Sequence, residues 1–242
     1  MPNRVLIGML TPSSNTVLEP VTSAILSGLS DVSVHFGRFR VTEISLEKSA
    51  LDQFDPIPML SAADLLADAK VGVMTWNGTS ASWRGFDTDR ALCASITART
   101  GIPASSATLA LDEIFRLAGI VRFGLVTPYD DDVQAEIVST YASEGYECIA
   151  ERHVGIRENF AFAEVSSEAL CAMVREVAEA NPQAIAILCT NLRGAPLVAA
   201  LEEETGIPIY DSVAVSVWAA LRVGQIRTDR IRGWGSLFQA GL

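Results

Sequence analysis

Ala184-Ile-Ala-Ile-Leu-Cys-Thr-Asn-Leu-Arg-Gly194 reads as a buried strand that runs out into a polar turn. Its apolar residues follow one another without alternation and stop at Cys189, the pattern of a strand covered on both faces. Thr190, Asn191 and Gly194 then predict a turn leading into a helix. In open α/β sheets, ligands bind at the carboxyl ends of parallel strands, beside the helix starts. The stretch therefore predicts a parallel α/β fold with a thiol at its binding edge.

The chain on either side repeats the theme. Strand Val5–Leu10 ends at Thr11-Pro-Ser-Ser-Asn15, and a helix follows through about Leu29. Val32–Val41 reads as a second strand. A helical stretch contains Ala62–Ala69, with Ser61 as its expected cap. Strand Val71–Thr75 ends at Trp76-Asn-Gly-Thr-Ser80, and helices are expected over Thr88–Thr100 and Ala107–Gly119, with a short strand introduced by Gly101-Ile-Pro103. Short apolar runs alternating with longer amphipathic ones predict βαβ units.

From Arg122 the pattern starts again. Ile7-Gly-Met-Leu-Thr-Pro12 lines up with Phe123-Gly-Leu-Val-Thr-Pro128, and Thr100-Gly-Ile-Pro103 with Thr205-Gly-Ile-Pro208. Between these landmarks Gly78-Thr-Ser80 falls opposite Cys189-Thr-Asn191. Each match alone is common strand-and-turn vocabulary; three in the same order predict an internal repeat. The expected architecture is α/β, with two pseudo-symmetric Rossmann-like lobes built on parallel sheets and an active site in the cleft between them. Residues 1–112 plus 212–242 form the expected first lobe and residues 113–211 the second, the last segment returning as a helix and tail onto the first lobe.

Composition narrows the function. The chain has 242 residues, 49% of them hydrophobic and 19% charged, with a net charge of −11. No Lys/Arg-rich run exists to neutralise phosphates, so nucleic acid is not an expected partner. No apolar run reaches membrane-spanning length and no signal-peptide pattern opens the chain, so a cytoplasmic protein without membrane attachment is expected. Cys93, Cys148, Cys171 and Cys189 are far apart and lack CxxC spacing, while His35 and His153 are isolated. Neither a metal site nor a disulfide framework is expected. There is no GxGxxG or GxxxxGK[ST] motif, so no nucleotide cofactor is expected either.

Four strand-end loops would converge on the cleft: Pro12–Asn15, Gly78–Ser80, Pro128–Asp131 and Cys189–Asn191. They carry a thiol, hydroxyls, amides and, at Tyr129, a phenol, a set suited to holding a carboxylate and the negative charge that develops on it. Free cysteines are also common core residues, and Cys93, Cys148 and Cys171 fit that description. Cys189 differs by ending its strand beside a polar turn. A helix start would lower its pKa and burial would raise it. Asn15 is a candidate ligand and equally a helix cap. Arg84 and Arg193 could attract an anion or simply face solvent. Trp76, Trp83, Trp218 and Trp234 read as packing or interface residues.

Pro12-Ser-Ser-Asn-Thr16, Gly78-Thr-Ser80 with Arg84-Gly85, Thr127-Pro-Tyr129 and Cys189-Thr-Asn191 resemble the aspartate/glutamate racemase superfamily, nearest the branch of maleate cis-trans isomerase and arylmalonate decarboxylase. The resemblance spans essentially the whole chain. It implies cofactor-free acid–base chemistry on a small carboxylate or dicarboxylate through an enediolate-like intermediate, and a homo-oligomer by analogy. It assigns Cys189 as the catalytic residue and Asn15, Gly78, Thr79, Ser80, Tyr129, Thr190 and Asn159 as substrate-binding residues. Racemases and isomerases of this type carry one cysteine per lobe. Here Gly78 stands at the first-lobe position, which is the pattern of the decarboxylase. Thr190 stands where that family usually has glycine, and its side chain would narrow the pocket. The expected function is thus a one-cysteine decarboxylase with Cys189 as proton donor. The alternatives are a maleate isomerase or racemase-like enzyme with a replaced first-lobe base, and a two-lobed carboxylate-binding protein without turnover.

Overall fold

Strands that are apolar on both faces require helices on both sides of the sheet, and the chain supplies them in alternation. The computed structural model describes residues 4–242. Its first half runs β1 (Val5–Pro12), α1 (Leu18–Leu26), β2 (Val32–Phe39), α2 (Lys48–Leu51), α3 (Pro56–Asp68), β3 (Val73–Trp76), α4 (Ala81–Arg84), α5 (Phe86–Thr100), β4 (Ala104–Ser106) and α6 (Ala107–Ala118). The second half runs β5 (Arg122–Thr127), α7 (Asp131–Ser143), β6 (Glu147–His153), α8 (Ser167–Ala178), β7 (Ala184–Ile187), α9 (Val198–Thr205), β8 (Ile209–Asp211) and α10 (Ser212–Val223).

Two four-stranded parallel sheets result, ordered β2-β1-β3-β4 and β6-β5-β7-β8. The second order is the first repeated, so the internal repeat read from the sequence is a repeat of topology. Its landmarks have a physical cause. Gly101 and Gly206 end α5 and α9 in the left-handed region, with φ of 72° and 70°. Their N–H groups bond back to the carbonyls of Thr97 and Glu202. Glycine reaches that conformation without the roughly 1–2 kcal/mol that a Cβ would add. Ile-Pro then leads the chain into β4 and β8.

The helices after the last strand of each sheet bind the halves together. α10 lies against β3, β4 and α1 as well as against α6. Phe115 of α6 stacks on Phe123 of β5 and approaches Tyr210 of β8, with centroids 5.3 and 6.2 Å away. Burial of large apolar side chains such as Trp218, Phe115 and Phe123 across this junction is worth roughly 1.5–3 kcal/mol each.

Several element boundaries depart from the sequence reading. α3 starts at Pro56 and is capped by Asp55, whose carboxylate accepts from the Ile57 N–H at 2.9 Å. Ser61 is therefore not the cap but a mid-helix residue, and its hydroxyl donates back to Ile57 O; Asp-Pro at a helix start is the stronger signal. α1 stops at Leu26, short of Leu29, and β3 is shifted to Val73–Trp76. The tail touches both halves: Arg230 pairs with Asp31, and Ser236 bonds Glu202 of α9. Among the described residues, no helix is long and apolar enough to cross a membrane.

Candidate active site

Strands β1, β3, β5 and β7 end at the same side, and their loops close around a cavity of about 20 Å³. That is the room of about one water molecule. Each loop contributes: Pro12 from the first, Gly78, Thr79 and Ser80 from the second, Tyr129 from the third, Cys189 and Thr190 from the fourth. Asn159 joins them from the segment after β6. An antiparallel bridge holds it there, with the Asn159 N–H donating to Thr42 O and the Ile44 N–H to Arg157 O, both at 2.9 Å. The same bridge brings Val41 and Ile44 over the cavity.

Cys189 is buried, two residues beyond the end of β7. Burial pushes its thiol up to about 12. The N–H groups of Asn191 and Leu192 and the Tyr129 hydroxyl act in the opposite direction, while the charge of Asp211 adds to the rise. The Asn191 N–H donates to Sγ at 3.3 Å. The helix start expected directly after the thiol is displaced: a 3-10 turn covers Ala195–Leu197 and α9 begins only at Val198. The amides at the thiol thus belong to a turn, and desolvation outweighs them. At neutral pH Cys189 carries its proton.

The Tyr129 hydroxyl and Thr79 Oγ1 are hydrogen-bonded at 2.7 Å. Burial raises the phenol well above its ordinary value, so Tyr129 is a neutral donor beside the thiol. Thr190 is committed within the protein: its hydroxyl donates to Asn77 O at 2.9 Å and accepts from Asn15 Nδ2 at 3.1 Å. Asn15 lies behind Thr190 and does not line the cavity. Its Oδ1 accepts from the N–H groups of Val17 and Leu18, so it caps α1 and braces Thr190 at once.

Asn191, which the sequence placed in the loop without a role, ties three loops together. Its Oδ1 accepts from the Thr16 and Val17 N–H groups, and its Nδ2 donates to Asn159 O at 2.5 Å. Asn159 Nδ2 in turn donates to Ser14 Oγ, which donates to Val41 O. Every link crosses between segments far apart in sequence, so the loops are held in one arrangement before any ligand arrives.

The side of the cavity built by Gly78 is covered by an indole. A Cβ placed on Gly78 would lie 2.0 Å from Cζ2 of Trp76. Trp76 is held there by Phe39, with centroids 5.1 Å apart. Trp83 lies edge-on to Tyr129 at 5.2 Å. The sequence reading assigned both tryptophans to packing; they are packed, and they are also walls of the cavity. Phe54, Val41 and Ile44 are the wall residues it missed, coming from a segment with no motif. Arg193 is exposed. Arg84 sits over the Phe54 ring at 5.2 Å, and its burial lowers its pKa.

Among the described residues no group of three or more His, Cys, Asp or Glu is arranged to hold a metal ion. What the site offers is one protonated thiol, neutral hydroxyl and amide donors, and an apolar lid. Such a set can hold an anion, stabilise charge moving onto its oxygens and deliver one proton to carbon.

The chain is similar to known proteins in sequence and in fold. The sequence model of a protein family described as arylmalonate decarboxylase matches residues 7–238. Arylmalonate decarboxylase of Bordetella bronchiseptica is 29% identical over 169 residues, covering 69% of this chain and 70% of that one. Maleate isomerase of Geobacillus stearothermophilus is 23% identical over 235 residues, 92% of each. Among solved structures, the maleate isomerase of Pseudomonas putida S16 superposes with a TM-score of 0.90 at 24% identity, over 98% of this chain and 99% of that one. A crystal structure of arylmalonate decarboxylase gives 0.78 at 24% identity, over 97% and 99%. The last two establish the shared fold.

Proposed function

We infer the reaction from one premise: the chain belongs to the arylmalonate decarboxylase family, whose curated relatives are decarboxylases and maleate isomerases. The reading best supported is a cofactor-independent decarboxylase that acts on a small malonate-type dicarboxylate, with Cys189 as proton donor.

The observation that carries it is the asymmetry of the cavity. Cys189 stands on one side with its proton held by burial, and the Trp76 indole covers Gly78 on the other. A thiol pushed up to about 12 is a poor nucleophile at neutral pH, because the thiolate is the attacking species. As an acid facing a carbanion it is well matched, since the acceptor is far more basic.

One carboxylate of the substrate leaves as carbon dioxide, and the electron pair of the broken C–C bond moves onto the carboxylate that stays, giving an enediolate. Thr79, Ser80 and Tyr129 are the donors available to that developing charge. The α-carbon then takes the proton from the Cys189 thiol, and the Asn191 and Leu192 N–H groups face the thiolate left behind until solvent reprotonates it. Asn159 and Thr190 complete the wall.

The second reading is a maleate isomerase-like enzyme in which another group replaces the first-lobe cysteine. Its support is coverage: three maleate isomerases match along 89–92% of the chain, against 69% for the decarboxylase. Incubation with substituted malonates and with maleate separates the two. Carbon dioxide release from a malonate supports the first reading. Conversion of maleate to fumarate, with malonates inert, supports the second.

A further inference from the structure

His153, isolated in the sequence, stands between two carboxylates in the fold. Its Nδ1 lies 2.9 Å from Glu151 Oε2 on the same strand, β6, and its Nε2 lies 2.7 Å from Asp131 Oδ1 in the first turn of α7. A carboxylate can only accept, and a neutral imidazole has a single N–H. In that form one contact would set a lone pair against a carboxylate oxygen. The imidazolium donates at both nitrogens, so the geometry calls for the charged ring. Burial draws its pKa down, and the hydrogen bonds to Glu151 and Asp131 overcome this, holding the value above the ordinary 6.5. Other charges on the elements packed around it are engaged or exposed. On β5 its register partner is Thr127, and Arg122 pairs with Glu147 at the far end. On α8, Glu176 pairs with Arg152, and Glu179 also faces that arginine. Asp130 pairs with Arg157, and Asp132 and Glu136 of α7 are exposed.

Both contacts lead to Tyr129. On the inner side, Glu151 Oε2 also accepts from Gln134 Nε2 at 2.7 Å, and Gln134 Oε1 accepts from the Thr127 hydroxyl at 2.6 Å. Thr127 Oγ1 in turn accepts from the Tyr129 N–H at 3.4 Å. Thr127 and Gln134 are buried, so these links are made inside the protein. On the outer side, the segment that continues from His153 holds the 128–131 loop residue by residue. The Ile156 N–H donates to Pro128 O, the Gly155 N–H to Tyr129 O, Arg157 to Asp130 and His153 to Asp131. Of these four donors, His153 is the one whose charge changes near neutral pH. Asp131 is exposed, and an exposed pair by itself is worth little. Its weight here is that it closes a ring of bonds around the loop that aims the phenol.

We propose that His153 is a positioning residue for Tyr129: its imidazolium, donating to Glu151 and Asp131 together, locks the 128–131 loop so that the phenol meets Thr79 and the developing charge. Loss of the proton frees one carboxylate and slackens the loop. Because the folded value lies above 6.5, the lock is complete below that pH and is lost as the pH rises through the higher value. The enzyme thus has an upper pH limit set by a side chain outside the cavity. This rests on the reading of Tyr129 as a donor to the enediolate and adds what holds that donor in place.

The chain has two histidines and four tyrosines, few enough for NMR to follow each. In the wild-type enzyme, imidazole nitrogen shifts should show both ring nitrogens of His153 protonated below pH 6.5, with a midpoint above 6.5 that falls in Glu151→Gln. With fluorotyrosine incorporated, the fluorine signal of Tyr129, assigned with Tyr129→Phe, should move with the same midpoint and stand still in His153→Gln. The same limb should appear in turnover of a substituted malonate. There kcat should fall by roughly tenfold with little change in KM, short of the roughly hundredfold that a displacement of about 1 Å can cost. His153→Gln should sit at the lower rate and be flat across that window. A midpoint at or below 6.5, a Tyr129 signal that ignores the titration, or a kcat profile that His153→Gln leaves unchanged would overturn the proposal. The expected fluorine response without carbon dioxide release from any malonate would leave the link between His153 and Tyr129 assigned and refute the decarboxylase reading instead.

Discussion

Trp76 occupies the space that any side chain at position 78 would need. The added Cβ would meet Cζ2, Cη2 and Cε2 of the indole at 2.0, 2.4 and 2.5 Å. Glycine at this strand end is thus required by the ring beside it, and the ring is where a base opposite Cys189 would have to stand. The Gly78→Ala variant should lose about 1–3 kcal/mol by overpacking. Combining it with Trp76→Leu should recover much of that loss, a non-additivity read from urea denaturation of the two single variants and the double. Equal and additive losses would mean that the indole and position 78 do not compete for one space.

The Cys189 thiol should be silent to alkylation at neutral pH. Its folded value, about 12, lies above an ordinary 9.0 because of burial. Folding therefore favours the protonated thiol. That contribution is complete below about pH 9 and is lost as the pH climbs toward about 12. The difference in stability between wild type and Cys189→Ser, followed by denaturant titration across this range, should shrink with rising pH. Iodoacetamide labelling of Cys189, mapped by mass spectrometry, should be at least a hundredfold slower at pH 7 than for the unfolded chain.

Tyr129 and Thr79 should act as a unit. Their 2.7 Å hydrogen bond is buried, so removing either hydroxyl leaves the other unmatched, at about 1–3 kcal/mol. Tyr129→Phe and Thr79→Val should each lower kcat by roughly a hundred- to a thousandfold. The double variant should fall little further than the worse single one.

Asp211 provides a second pH dependence of opposite origin to a salt bridge. Its Oδ1 caps α10 by accepting from the Val213 and Ala214 N–H groups, and the carboxylate also faces the Ala195 N–H. Burial raises its carboxyl from 3.8 to about 7. Folding therefore favours the protonated acid, fully so below pH 3.8, and the advantage is lost as the pH rises to about 7. Asp211→Asn should flatten the stability profile in that window, and by removing a charge that raises the thiol it should also lower the Cys189 pKa.

Asn191→Ala tests whether the loops are braced before a ligand arrives. The substitution strands the Thr16 N–H and Asn159 O and should cost about 2–4 kcal/mol. Asn191→Asp, which keeps the acceptor but buries a charge and sets a carboxylate oxygen against the Asn159 carbonyl, should cost at least as much. The readout is the denaturation midpoint together with hydrogen exchange at Thr16 and Val17, which should quicken in Asn191→Ala.

The repeat was legible because it is written in backbone-determining residues. Thr-Pro at the ends of β1 and β5, and Gly-Ile-Pro before β4 and β8, act locally, so spacing alone exposes them. Cys189 was legible for the same reason, as a polar turn cutting off an apolar run. The direction of the Trp76 ring was not, since it depends on Phe39 from another strand. Val41 and Ile44 reach the site through pairing of residues 42–44 with 157–159, and no local pattern announces a contact of that range. The thiol's pKa was also out of reach, because the lowering by the turn amides and the raising by burial could be weighed only with the burial in hand.

The most direct test of the one-sided site is the stereochemistry of protonation. A malonate bearing two different α-substituents, turned over in heavy water, should release carbon dioxide and give a single enantiomer carrying one deuterium at the α-carbon. Cys189→Ala should abolish that product. A racemic product, or activity that survives the loss of Cys189, would contradict a lone thiol facing an indole-covered wall.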